Sequence, residues 1–290
     1  MGMQHKSLFV GFGQIASKVA LGFESERCID VLKRSSIDAP DQFACVEHMF
    51  LGDISEASTW TNVPDNYNAI LFCVTPGGRG AEAYRRVFYN ALTHCITKFK
   101  SLKTPPHLFF VSSTSVYAQD DDSVVDELSP ANGMSETSKV LVQAENLLRD
   151  SSLPSTIIRF SGIYGGSRRR IIDQVLSQEP VLSDALRRSN RIHEEDAVGF
   201  LTFLMKSHAQ GQALDELYVC TDDNPVDMNE VYAFIANKLD VNLNDSRIEA
   251  VRRRAGNKRL SNKRMQETGY QLKFSSFKEG YANMLEVIDQ

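Results

Sequence analysis

Residues 11 to 16 read Gly-Phe-Gly-Gln-Ile-Ala, a GxGxxA turn between the apolar run SLFVGF (7–12) and a helix-period stretch (14–24). Two glycines two apart, after a strand and before a helix, suit a dinucleotide diphosphate. Gly11 permits the tight turn, and Gly13 lets main-chain N–H groups approach the phosphate oxygens. Ala16 is small enough for the helix to pack closely on the strand. The helix N-terminus adds partial positive charge. The expected contacts are therefore Gly11, Phe12, Gly13, Gln14 and Ile15; the alternative is a tight corner that holds nothing. The second apolar run (28–34) ends on Lys33-Arg34-Ser35. An acidic residue there would bind a ribose 2′-hydroxyl, whereas an arginine accommodates a 2′-phosphate. With Asp30 lying earlier in the run, Arg34 and Ser35 favour NADP over NAD. Asp53, in LGDIS, is placed either to accept from an adenine amine or to serve as a turn or cap residue.

Few other residues are arranged for chemistry. Six histidines form no HxxxH or Cys/His cluster, so no metal site is expected. Five scattered cysteines include no CxxC pair, and an odd count without a framework points to a reducing compartment. Basic clusters at Arg168 to Arg170, and at Arg252 to Arg254 with Lys258 and Arg259, are solvated faces or anion-facing loops. The net charge of −5 gives no global drive toward nucleic acid or an anionic membrane. No run of 18 apolar residues occurs and the N-terminus lacks a signal-peptide pattern, so a cytoplasmic protein is expected.

The elements that would position these residues follow from periodicity. Apolar runs at 7–12, 28–34, 44–50, 69–75, 107–113 and 155–161 read as strands. Residues 83–99 repeat apolar side chains at steps of three and four, which predicts one amphipathic helix. Continuous apolar strands separated by helices predict an α/β fold, a Rossmann-like doubly wound parallel sheet. After residue 160 the rhythm changes: helices at 170–178 and 226–240, an extended start turning helical over 191–207, and a strand at 216–223. The expected organisation is a Rossmann domain over 1–165, with part of 190–215 returning to it. A smaller, interleaved α/β substrate-side region then covers 166–290.

The ordered motifs GFGQIA, KRS, GDIS, CVTPGG, FVSSTSVYA, RFSGIYGG, RIHEEDA and LYVCTDDNPV resemble the extended and atypical short-chain dehydrogenase/reductase superfamily, of the NAD-dependent epimerase/dehydratase type. The likeness runs nearly end to end, and the tail NKRLSNKRMQETGYQLKFSSFKEGYANML looks like the YeeZ-like subgroup. The resemblance implies NADP or NAD as cofactor, with Ile54, Val74, Thr75, Pro76 and Ser112 as further contacts. It makes Ser113 the catalytic hydroxyl, bonded to a substrate oxygen, and Lys139 the residue that binds the nicotinamide ribose. It also implies a Tyr-x-x-x-Lys pair at a helix start. Lys139 is in place, but Ser135 stands where the tyrosine belongs. A phenol ionises near about pKa 10 and a neighbouring cation lowers it; an aliphatic hydroxyl is a far weaker acid. Ordinary tyrosine-dependent hydride chemistry therefore lacks its proton donor, and Tyr164 or His193 becomes the candidate substitute.

By the same resemblance, residues 159–170 and 191–196 border the substrate, with Tyr164, Arg168 and Arg191 as contacts and the arginines drawing an anion. Arg159 fits structural hydrogen bonding better, and His193 the orientation of a loop. Two functions follow. One is an NADP-dependent oxidoreductase or epimerase acting on a small oxygenated molecule, such as a sugar nucleotide. The other is a dinucleotide-binding sensor or regulator without turnover. The helices at 83–99 and 136–150 could pair with a second copy as a homodimer, or bury their stripes within one chain.

Overall fold

The continuous apolar runs become strands of one sheet. A computed structural model of the chain describes residues 5–23, 28–36, 42–180, 182–243 and 256–288; Arg252 to Arg254 lie outside them. The chain begins with β1 (Ser7–Val10), α1 (Gln14–Leu21), β2 (Ile29–Lys33), β3 (Val46–Leu51) and β4 (Ala69–Phe72). Next come α2 (Ala81–Tyr84), a π-helical turn over Arg85–Asn90, α3 (Ala91–Phe99), β5 (His107–Ser113), β6 (Val124–Val125) and α4 (Glu136–Arg149). Then follow β7 (Ser155–Phe160), β8 (Gly162–Tyr164), α5 (Arg170–Leu176), β9 (Arg188–Ser189), β10 (Arg191–His193), α6 (Glu194–Ala209) and β11 (Leu217–Cys220). The remaining elements are β12 (Val226–Asp227), α7 (Met228–Lys238), β13 (Arg259–Leu260), α8 (Lys263–Glu267) and α9 (Phe277–Ile288).

The seven-stranded sheet has the order β11-β7-β5-β4-β1-β2-β3. Its β3-β2-β1-β4-β5 ladders are parallel, with Ser7 in register with both Ile29 and Ala69. Every residue of β1 and β4 is buried, which is why their sequences do not alternate; β3, at the edge, is partly exposed throughout. The order runs outward from β1 in both directions, so the crevice at the carboxyl ends of β1 and β4 lies at the topological switch point.

Two compact units emerge, Met1–Val116, Ala131–Arg159 and Val198–Tyr218 in one, and Tyr117–Pro130, Phe160–Ala197 and Val219–Gln290 in the other. In the second, Ile172, Val175, Val231, Ile235, Phe277 and Tyr281 of α5, α7 and α9 form the core. The stretch expected as one helix over 83–99 is instead α2, the π-helical turn and α3. Its stripe of Phe88, Ala91, Leu92, Cys95, Ile96 and Phe99 is buried, as are Val140, Leu141, Ala144 and Leu148 of α4. Those apolar side chains are covered within one chain and need no second copy. All five cysteines are free thiols. Among the described residues, no helix is long and apolar enough to cross a membrane.

Candidate functional site

The glycine turn leaves β1 with Gly11 at φ +84°, the left-handed region that glycine enters without steric cost. The Gly11 N–H donates to the Leu32 carbonyl at 2.9 Å, and Cys73 N–H to the Val10 carbonyl at 3.0 Å, so the turn is pinned between β2 and β4. A Cβ on Gly11 would fall 2.4 Å from the Cys73 carbonyl oxygen. Gly13 is the N-cap of α1 and, having no side chain, supplies no side-chain cap to the helix start. A Cβ there would meet nothing within 4 Å. Ala16 is fully buried against the sheet.

Over this turn opens a cavity of about 590 Å3. Of the residues expected to bind cofactor, Gly11, Phe12, Gly13, Arg34, Ser35, Asp53, Ile54, Val74 and Thr75 line it. Gln14, Ile15, Pro76, Ser112 and Lys139 do not, and the Ile15 side chain is buried instead. The fit to a dinucleotide rests on three features: a left-handed glycine, an open position beside the uncapped helix start, and a cavity that continues to the ends of β2 and β3.

Charge is concentrated at the far end of the cavity. Asp53 Oδ1 accepts from the Ser55 N–H at 2.9 Å and the Ser55 hydroxyl at 2.7 Å, so Asp53 closes a turn while still lining the cavity. Its Oδ2 accepts from Arg86 Nη2 at 2.5 Å, and Arg86 Nε donates to Ser55 Oγ at 2.8 Å. Partial burial pushes the Asp53 carboxyl up, but the Ser55 hydrogen bonds and the charges of Arg86 and Arg34 hold it below its ordinary value. The Arg34 guanidinium lies along Gly77, whose Cβ would stand 3.1 Å from Nη1.

The serine and lysine segment differs from expectation. Ser112 turns away from the cavity and donates to the buried Glu145 at 2.7 Å; Arg159, also buried, binds both oxygens of that carboxylate. The Ser112 hydroxyl and the Arg159 guanidinium thus meet on Glu145, and successive strand residues such as Ser112 and Ser113 face opposite sides of the sheet. Ser113 is partly exposed, and its Oγ accepts from the Ser115 N–H at 3.2 Å. Ser135 is the N-cap of α4, accepting from the Ser138 N–H at 3.1 Å while Ser138 Oγ accepts from the Ser135 N–H at 2.9 Å. Lys139 is half-exposed and bonds Glu136 at 2.7 Å.

In the second unit Tyr164, Arg168 and Arg191 line one open pocket with Arg169, Arg170 and Tyr281. Tyr164 is 2% exposed, stacks on Tyr281 at 4.6 Å, and has a phenol that burial pushes up. A Cβ on Gly280 would lie 2.0 Å from its hydroxyl, so the phenol is packed closely against that residue's backbone. His193 is likewise buried, against Phe274 and beneath Gly165. Arg168 pairs with Glu194, and Arg191 Nη1 donates to the Tyr281 hydroxyl at 3.1 Å. Beside them, burial raises the carboxyl of Asp222 to about 8. Elsewhere, Asp30, Glu47 and His48 come together as metal ligands could, a grouping that the histidine and cysteine spacing did not signal. The Lys6 ammonium already lies 3.1 Å from both carboxylates.

Comparison of the sequence with protein-family models and with curated proteins finds no match. Among solved structures, a protein of Methylobacillus flagellatus assigned as an NAD-dependent epimerase/dehydratase is 28% identical, with a TM-score of 0.77 over 99% of each chain. The chain has the epimerase/dehydratase fold. The same fold is found in a Burkholderia cenocepacia protein assigned as an epimerase (14% identity, TM-score 0.78, 98% of each chain). It recurs in the dTDP-glucose 4,6-dehydratase of Bacillus anthracis in complex with NAD (16%, 0.78, 99% of this chain and 97% of that one).

Several cavity residues of this epimerase/dehydratase fold escaped the sequence reading: Gly77, Gly78, Glu82, Ala83, Arg86 and Val87. The signal was present, because CVTPGG follows an apolar strand and such crevices form outside strand carboxyl ends. Its extension into the next helix was not apparent without the fold.

Proposed function

We propose that this chain is a dinucleotide-binding member of the extended short-chain dehydrogenase/reductase superfamily that prefers NADP. Its proposed activity is that of an oxidoreductase or epimerase on a small, oxygenated, anionic molecule, with a sugar nucleotide as the leading class. The single observation that carries the reading is the Gly11–Gly13 turn, with its left-handed glycine and open position beside the uncapped start of α1. The main-chain amides there would hold the diphosphate, and Lys33, Arg34 and Ser35 the 2′-phosphate. The bound coenzyme would supply hydride transfer. In the first unit the Ser113 hydroxyl would polarise a substrate oxygen; in the second, the pocket of Arg168, Arg169, Arg170 and Arg191 would attract an anionic group. The NAD complex and dTDP-glucose substrate named for the Bacillus anthracis protein support a nicotinamide dinucleotide and a sugar nucleotide, while the preference for NADP rests on Arg34. A place near the YeeZ-like subgroup rests on the resemblance of the tail sequence NKRLSNKRMQETGYQLKFSSFKEGYANML.

A second reading, dinucleotide binding without turnover, is favoured by one observation: at the Tyr-x-x-x-Lys positions Ser135 caps α4 and Lys139 bonds Glu136. Titrating NADP and NAD separately by calorimetry tests the common core of both readings. Saturable NADP binding, tighter than NAD, is the expected result; binding of neither removes the proposal. Reduction of a carbonyl panel by the unaltered protein, lost in Ser113→Ala, selects the enzyme. Silence in that assay, with activity gained by Ser135→Tyr, selects the sensor.

A further inference from the structure

We infer that Arg86 is a second determinant of the NADP preference, holding the 2′-phosphate together with Arg34. The inference rests on the dinucleotide reading of the cavity and adds to it a residue that the strand-end motif does not contain. Arg86 belongs to the π-helical turn after α2, far along the chain from Arg34, yet both line the same cavity.

The position of Asp53 explains why Arg86 matters. One carboxylate oxygen is taken by Ser55, and the other faces Arg86, so the acid serves to orient that guanidinium. Two of the five N–H donors of Arg86 are used, by Asp53 and Ser55. The side chain is 55% exposed, so its charge can meet a ligand without being stripped from a core. The charges of both Arg86 and Arg34 act on the Asp53 carboxyl, so a phosphate arriving beside Asp53 is within reach of both fields. The charged lining is Lys33, Arg34 and Arg86 against Asp53 and Glu82, an excess of one positive charge. A phosphate monoester carries close to two negative charges and matches a planar guanidinium fork. NAD differs from NADP at this point only by a neutral hydroxyl, so a contact made by Arg86 with the phosphate appears in one affinity and not in the other.

The competing role for Arg86 is to hold Asp53 for the adenine, which both coenzymes share. Dissociation constants of NADP and NAD, measured by calorimetry for the full chain, separate the two. Arg86→Gln is expected to weaken NADP at least about tenfold, as loss of a charge-assisted hydrogen bond does. NAD should stay within about threefold, because no charge-assisted contact with it is lost. Arg86→Lys, which keeps the charge and loses the fork, should fall between wild type and Arg86→Gln. Asp53→Asn keeps an amide oxygen to accept from Arg86 and removes a negative charge beside the phosphate, so the preference for NADP should stay intact or grow. Equal weakening of both coenzymes in Arg86→Gln, or no change in either, would overturn the role of Arg86 while leaving the cavity reading in place. If the wild-type chain binds neither coenzyme, the cavity reading falls, and this inference with it. Thermal melts of each variant check that the fold is retained.

Discussion

A methyl group on Gly13 would meet nothing within 4 Å, whereas one on Gly11 would strike the Cys73 carbonyl oxygen at 2.4 Å. The two glycines therefore differ in what their missing side chain does. Gly13→Ala should leave the melting temperature nearly unchanged, since an exposed substitution that touches nothing stays within about 0.5 kcal/mol. It places a methyl where the phosphates would lie, and NADP affinity measured by calorimetry should fall at least about tenfold, or 1.4 kcal/mol. Gly11→Ala should instead lower the melting temperature, through both the clash and a φ of +84°. Glycines were legible in the sequence because absence of a side chain is their function. The partner of the Ser112 hydroxyl was not legible, because a strand end turns neighbouring hydroxyls to opposite faces. Ser113 kept a partly exposed position, while the Ser112 hydroxyl went to Glu145. Arg86 was invisible for a different reason: its partner Asp53 lies across the fold, and no local pattern links them.

Helix α4 shows how one element can satisfy two descriptions. Against the Tyr-x-x-x-Lys pattern Ser135 is a loss, but as the first residue of a reciprocal cap with Ser138 it is a good choice. Ser135→Tyr should cost about 1 kcal/mol of stability by urea denaturation, whatever it does to activity. Ser135→Asp, which keeps a capping oxygen, should stay close to wild type. The other end of α4 carries Glu145, fully buried between Ser112 and Arg159. Glu145→Ala leaves the Arg159 guanidinium buried without its carboxylate, a loss of about 3–5 kcal/mol by the same measurement. The apolar stripe of the helix was legible from periodicity; the buried ion pair was not, because a glutamate at an inward position looks like any exposed one until β7 supplies the arginine. The π-helical turn was hidden likewise. It inserts only a local widening into a pattern whose apolar steps of three and four persist on either side.

At the scale of the whole chain, alternating apolar runs and helical periods were enough to predict the doubly wound sheet. They could not show that Tyr117–Pro130 joins the later segments, because that depends on distant pairings such as Arg188 with Asp122 and Gly256 against Gln119. The two units also carry buried titrating groups with opposite demands on pH. In the first, burial lowers the His107 imidazole to about 4, from an ordinary value of 6.5, and the neighbouring His208 adds to it. The unfolded chain takes up that proton first, so stability falls as pH drops from 6.5 toward 4. In the second, burial raises the Asp222 carboxyl from 3.8 to about 8, with Asp223 and Asp196 adding to it and Arg191 opposing it. The folded chain keeps that proton longer, so stability falls as pH rises from 3.8 through 8. Each slope is at most about 1.4 kcal/mol per pH unit. Of these two groups, the contributions oppose each other between pH 4 and 6.5, and from 6.5 to 8 that of Asp222 acts without His107. Asp222→Asn should therefore flatten the decline above pH 6.5 and uncover a rise with pH below it. His107→Gln should remove the opposing rise between pH 4 and 6.5. Urea midpoints of the wild type and both variants across that range check the pair. A wild-type-minus-variant difference that does not change with pH would show that the group is not titrating in the folded chain.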